Sequence, residues 1–288
     1  MTTKKITKVS GGAATPQKPT FVPTAEAKGK ATQLRLFAIL LWILAIAAEV
    51  GAIWVLLKSA KPIQTNTWIW MIGLIVVDLI LVIIGSQLWK KANRLDPASE
   101  KEPIKFFLQN QLGVIISVIA FLPLVVLIFT NKDLDGKQKG ILGGIAAIAL
   151  IVAGLASVDY NPPSVEKYTE QSTYVQELIG ADHVFWTKSG TKYHLYNDCQ
   201  YLKSDRTTEI FEGGTVADAC ANNSRIKPDM SSLCSACEKR AAKEKGWTEE
   251  QLQQAKDKAI NAVQNTENQT NDLINQTDTD TETKTGEQ

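Results

Sequence analysis

The chain has 288 residues, a formal net charge of +1 and 44% hydrophobic residues. Length alone suggests one or two soluble domains, but the uneven hydropathy excludes that reading. Nearly all the apolar content lies between Leu36 and Val158, while both histidines and all four cysteines fall in the polar remainder.

Residues 1–34 are rich in Lys, Thr, Gly and Pro and hold no apolar core. They are expected to carry no cleavable signal peptide and to form a disordered basic tail. Contact with anionic lipid is a further role open to its charges.

A transmembrane domain is expected over residues 35–158. Crossing about 30 Å of hydrocarbon takes roughly 20 mostly apolar residues. Four segments meet that length, at about 36–57, 68–89, 106–129 and 140–158. The third has Gln109, Asn110 and Gln111 at its entrance and Pro123 inside. Trp68 and Trp89 stand at the two ends of the second, where aromatic residues favour the membrane interface. Gly140 and Gly144 form a GxxxG at the start of the fourth, a spacing that permits close helix contact.

Basic residues set the expected orientation. The tail through Arg35 has seven Lys and Arg and the loop 90–105 has five, twelve in all. The loops at 58–67 and 130–139 have two and three, five in all. The richer side is cytoplasmic, and four crossings return the C-terminal region to it. The expected location is a cell membrane, multi-pass, with both termini cytoplasmic.

Two carboxylates, Glu49 and Asp78, lie inside the first and second spans, and no Lys, Arg or His lies in any span. Ionisable groups at such depth cost about 2.5–3.5 kcal/mol or more and face the bundle interior. Two readings stand: neutral carboxylic acids that hydrogen-bond between helices, or a proton or ion path. The sparse polar lining favours the first.

Beyond the spans, residues 159–182 read as a linker. Pro162 and Pro163 stop the fourth helix, and the mixed polarity of 165–180 is compatible with a helix. Residues 183–245 read as a small α+β module. "VFWT" (184–187) and "TKYHLY" (191–196) carry the aromatic and β-branched residues of strands, and "KSG" between them predicts a β-hairpin with Gly190 at positive φ. "EIF" (209–211) predicts a third short strand. Thr215 is placed to cap a short helix, and another helix is expected to start around the CxxC of 234–237. A final helix is expected within 246–264, opened by a capping box of Thr248 and Gln251. Residues 265–288 have no aromatic residue and are expected to be a disordered polar tail.

The cysteines and one histidine define a candidate metal site. Cys234-Ser-Ala-Cys237 offers two thiolates from one turn, and His194 and Cys199 offer the other two ligands of a tetrahedron. Such a set is closed, which is the mark of structural zinc rather than a catalytic site. A thioredoxin-like CxxC needs a βαβ setting that is absent here, and a disulfide framework needs an oxidising compartment. Cys220 replacing His194 is the remaining alternative; its place inside a short helix suits a buried apolar role instead. His183 has no partner at ligand spacing. A module of about 60 residues builds little core, so a metal staple also serves stability.

The run "VFWTKSGTKYHLYNDCQYL…GTVADACANN…LCSAC" resembles the zinc module of the bacterial adaptive-response protein that repairs methylated DNA phosphates. The resemblance covers Val184 to Cys237 and implies a bound zinc ion. That family uses four cysteines, one of which accepts the methyl group. The position matching the first is His194 here, and an imidazole does not replace a zinc thiolate as methyl acceptor.

The expected architecture is therefore an all-α membrane bundle of four transmembrane helices, a small α+β zinc-binding cytoplasmic module, and disordered termini. No nucleophile–base pair or phosphate loop points to an enzyme. The expected function is presentation of a structural zinc module to the cytoplasm, for protein-partner binding or regulation. The alternatives are a transporter or channel component using Glu49 and Asp78, or nucleic-acid binding through the module. The lipid bilayer is an expected partner, and self-association is open.

Overall fold

The computed structural model of the chain describes residues 5–8, 21–58, 65–203, 207, 209–261 and 263. It divides into two compact units. One holds 24–96 and 104–162; the other holds 1–23, 97–103 and 163–288.

The first unit contains the four long apolar helices. They are α1 (Ala25–Lys58), α2 (Thr65–Leu95), α3 (Pro103–Thr130) and α4 (Gly136–Ser157). Each is long and apolar enough to cross a membrane. α1, α2 and α3 run past the expected spans at both ends and α4 at its start, where polar residues rather than the apolar limits set several of the boundaries. The Ala27 amide donates to the Thr24 hydroxyl at 3.1 Å ahead of α1. Pro103 opens α3, where its missing N–H leaves no bond unmade. Asp135 and Gln138 form a full capping box before α4.

Side chains lace one end of this bundle. Arg35 of α1 donates to the Asp96 carboxylate at 2.7 Å and to the Asp96 carbonyl at 2.8 Å. Trp42 and Trp89 pack with ring centres 5.3 Å apart. The indole N–H of Trp89 and the amide of Asn93 both donate to the Gln109 carbonyl at 2.7 Å. Lys90 donates to the Ala156 carbonyl at 2.8 Å, and so meets the carbonyl end of α4, where a cation is favoured.

Deeper in the bundle the Ser117 hydroxyl donates to Ser157 at 3.0 Å, and Ser157 to Ser86 at 2.9 Å. This chain of buried hydroxyls joins α3, α4 and α2 as interhelical hydrogen bonds do in membranes. The GxxxG expectation is corrected: a side chain at Gly140 or Gly144 would meet nothing within 4 Å. Close approach falls instead at Gly143, where a Cβ would lie 2.6 Å from the ring of Phe129.

The second unit contains β1 (Lys5–Lys8), α5 (Val165–Ile179), β2 (Val184–Trp186), β3 (Glu209–Gly214), α6 (Val216–Asn222), α7 (Ser235–Glu244) and a closing helix, α8, over 249–261. The sheet order is β1-β3-β2, with β1 parallel and β2 antiparallel to β3. The 1–34 segment is thus not wholly without structure: Lys5–Lys8 form a strand and α1 begins at Ala25. The expected linker 159–182 is largely α5. Ser164 caps α5 through the Lys167 amide, and Gly180 ends it at φ 81°, a left-handed position glycine adopts without strain. Thr248 and Gln251 exchange the expected capping bonds before α8. The tail 265–288 lies outside the described residues.

The predicted 184–196 hairpin holds in part: Phe185 and His194 pair antiparallel, but as a single bridge, the ladder of β2 is made with β3, and Gly190 is not among the positive-φ glycines. What Gly190 supplies is room, since a Cβ there would lie 2.7 Å from the Thr187 hydroxyl.

Trp186, Tyr168, Tyr174, Tyr193, Leu178 and Leu202 are the largest fully buried side chains of the module's core, and Ala255 and Ala259 of α8 join it. The 97–103 loop folds onto the start of α5. Val165 N–H donates to the Ala98 carbonyl at 3.2 Å, while the Glu166 carboxylate accepts from the Ser99 hydroxyl at 2.5 Å and the Glu100 amide at 2.8 Å. Phe21 packs edge-on to Tyr168 with ring centres 5.1 Å apart.

Candidate metal centre

His194, Cys199, Cys234 and Cys237 meet at one point, with their ligand atoms all within 4.8 Å of one another. All four residues are buried, with exposures of 2–7%. These are the residues singled out by spacing, and together they can hold a metal ion.

Main-chain bonds bring the two halves of the set together. His194 exchanges both backbone hydrogen bonds with Phe185 of β2, each at 2.8 Å. Its neighbour Tyr193 is zipped to the segment before α7: Tyr193 N–H donates to the Ser232 carbonyl and Cys234 N–H to the Tyr193 carbonyl, both at 2.9 Å. Strand alternation then directs the Tyr193 and His194 side chains to opposite faces. Tyr193 enters the core, where its hydroxyl donates to Gln171 at 3.4 Å, and burial pushes that phenol well above its usual range.

Cys199 sits in the turn that follows. Its amide donates to the Tyr196 carbonyl at 3.3 Å and its carbonyl accepts from Leu202 at 2.9 Å. Arg240 of α7 fastens that turn, pairing with Asp198 at 2.6 Å and lying 4.0 Å over the Tyr196 ring. The Tyr196 hydroxyl donates to Glu244 at 2.6 Å. The helix that carries Cys237 is thereby tied to the turn that carries Cys199.

Cys234 is the N-cap residue of α7, yet its side chain makes no capping hydrogen bond, so the sulfur is free to ligate. The Cys234 thiol is pulled well below its usual range, chiefly by the hydrogen bond from Cys237 and also by His194. A helix N-terminus favours thiolate in the same sense. Cys237, as donor in that pair, is pushed up by Cys234 and by burial, while the Leu195 backbone amide acts the other way.

The geometry fits a tetrahedral ion. With metal–sulfur bonds of about 2.3 Å and metal–nitrogen bonds of about 2.0 Å, ligand atoms stand about 3.5–3.8 Å apart. The Cys237 sulfur lies 3.8 Å from His194 Nδ1. The full set needs only a small contraction to close on an ion. Four protein donors leave no open position, so such an ion would supply folding energy rather than Lewis-acid chemistry.

Cys220 lies outside the group. It is buried in α6, with its sulfur 3.7 Å from the Lys227 carbonyl, which removes the all-cysteine alternative. His183 packs edge-on against Phe185 with ring centres 5.1 Å apart and takes no part in the cluster. The Arg240 clamp was not anticipated from the sequence; the Glu244 partner at i,i+4 was the one legible signal of it.

No family model, curated protein or solved structure matches the chain.

Proposed function

We propose that this is a multi-pass membrane protein that presents a structural zinc-binding module to the cytoplasm, where the module binds a protein partner. The observation that carries the reading is the buried, closed set of His194, Cys199, Cys234 and Cys237. Three thiolates and one imidazole in a tetrahedron suit zinc. A closed site leaves neither a substrate position nor an activated water, which favours a non-enzymatic role.

The orientation rests on the excess of Lys and Arg in the tail and the second loop. Segments 1–23, 97–103 and 163–288 belong to one compact unit, as an even number of crossings requires.

Nucleic-acid binding is the weaker reading. The likeness to the repair module breaks at His194, and acidic neighbours take up much of the module's positive charge. Arg240 pairs with Asp198 and Glu244, Lys256 with Glu238, and Lys258 with Glu177. These pairs reduce the positive charge available to displace counterions from phosphates.

Metal analysis of the full-length protein, purified in detergent, tests the proposal. One zinc per chain is expected, with loss in Cys234→Ser and in His194→Ala. Absence of zinc, or equal protease resistance of residues 183–245 with and without a chelator, would sink it.

A further inference from the structure

We propose that Glu49 and Asp78 form a proton-binding site inside the helix bundle, loaded from the end at which Lys90 and Asn93 lie. This goes beyond the zinc-module reading and does not depend on it.

Both carboxyl groups are buried, at 4% and 2% exposure. Two contacts fix the register of α1 on α2: a Cβ at Gly51 would meet Leu74 at 3.8 Å, and one at Gly85 would meet the Ala38 carbonyl at 3.3 Å. Glu49 and Asp78 lie between these contacts, each facing the interior. Glu49 Oε1 accepts from the Leu124 amide at 3.3 Å, beside Pro123 and its local break in the helical ladder. Asp78 Oδ1 has no hydrogen-bond partner. A fully buried carboxylate oxygen without a donor lacks a proton or a cation. Glu49 is the one charged group facing Asp78 from α1, and α3 and α4 present none at that depth.

The direction of loading follows from where the other buried polar groups lie. Ser86, Ser117 and Ser157, then Asn93, Asn110 and Asp159, are all on the Lys90 side of the pair. From Asp78 to Ser86 is about 12 Å along α2, a gap spanned chiefly by Val82 and Phe121. In the other direction the buried side chains include Ile75, Met71, Leu56, Ile128, Leu134 and Leu142, and no buried polar residue occurs among the described residues before α2 begins at Thr65, about 20 Å from Asp78 along the helix. Apolar side chains flank the pair on both sides, and the layer a proton must cross before it meets polar groups is the thinner on the Lys90 side. In the loading step a hydrated proton gives up its water and adds to the open Asp78 oxygen. One O–H bond forms, one is lost from hydronium, and no redox partner is needed.

The test uses the full-length protein in phosphatidylethanolamine–phosphatidylglycerol vesicles with a single orientation, followed by infrared difference spectroscopy after a pH jump on one side. A carboxylic-acid carbonyl band should disappear as pH rises, follow the pH on the Lys90 side, and be lost or shifted in Glu49→Gln and Asp78→Asn. Carbon-13-labelled aspartate in the unsubstituted chain should shift the same band, which keeps the test open if a variant fails to assemble. A band that does not titrate marks a permanent interhelical hydrogen bond and overturns the proposal. So does a band that follows the opposite side, or one indifferent to both the substitutions and the label.

Discussion

The indole of Trp186 occupies the space that any side chain at position 214 would need. A Cβ on Gly214 would lie 2.6 Å from Trp186 Cη2 and 2.9 Å from Asp218 Cβ. Trp186 is fully buried and stacks on Phe211 at 5.7 Å, so the ring has nowhere to move. Gly214→Ala should therefore destabilise the module by about 1–3 kcal/mol, the cost of forcing atoms into a packed core. Faster amide exchange through 184–186 and 209–214 is the readout. Gly144→Ala, on an open helix face, should leave exchange unchanged, and equal effects would refute the packing account.

Cys220 separates packing from ligation. Cys220→Ala should keep the full zinc content and cost about 1 kcal/mol for the buried atoms removed. Cys199→Ser or Cys237→Ser should release the metal and leave a module that is protease-sensitive without chelator. Zinc content by mass spectrometry of the intact protein distinguishes the two classes.

Asp182 gives the module a pH signature of known sign. Burial raises its carboxyl, against the hydrogen bond that the Val216 amide donates at 3.0 Å. A carboxyl raised on folding contributes stability below its unfolded value of about 3.9. That contribution is lost as pH rises through the higher folded value. Asp182→Asn keeps an acceptor for Val216 and removes the ionisation cost. Its melting temperature relative to the unsubstituted protein should therefore increase from acid to neutral pH. Taking the difference at each pH cancels any acid-induced loss of bound metal, which both proteins would share. A difference that does not change with pH would show that Asp182 is not the group responsible.

Glu166 holds the 97–103 loop through the Ser99 hydroxyl and the Glu100 amide. Hydrogen bonds to a charged acceptor are worth about 1.5–3 kcal/mol. Glu166→Ala should expose the loop to proteolysis near Glu100 while zinc content stays unchanged. Loss of zinc together with the loop would mean that the two features fold as one.

The readable parts of the sequence were those governed by local rules. Span length, a CxxC with His-x4-Cys, and S/T-x-x-polar caps each declare themselves within a few residues, and α1 to α4, the clustering of His194, Cys199, Cys234 and Cys237, and the Thr215 and Thr248 caps followed. Partnerships across the chain did not. "VFWT" and "TKYHLY" carry strand composition and meet at Phe185 and His194, but alternation does not name their further partners, Phe211 for Trp186 and Leu233 for Tyr193. Lys5–Lys8 gave no signal because its pairing to β3 is a long-range event. Ser86, Ser117 and Ser157 are single polar residues in apolar runs, and only the rotation of each helix decides whether they meet. Gly140 and Gly144 share one face by period, yet period does not say what that face touches.

The composition of the unit that carries the metal-competent cluster has a consequence for biogenesis. Its pieces leave the ribosome at three separate times, with two hydrophobic segments made between the first and second and two more between the second and third. Lys5–Lys8 must wait for β3, and Ser99 and Glu100 for Glu166, while the intervening helices are made. Cys199, Cys234 and Cys237 come after all four long helices, so on the proposed reading metal loading would follow their insertion. A chain that stalls after α3 would present an unsatisfied 97–103 loop to the quality-control proteases of its compartment.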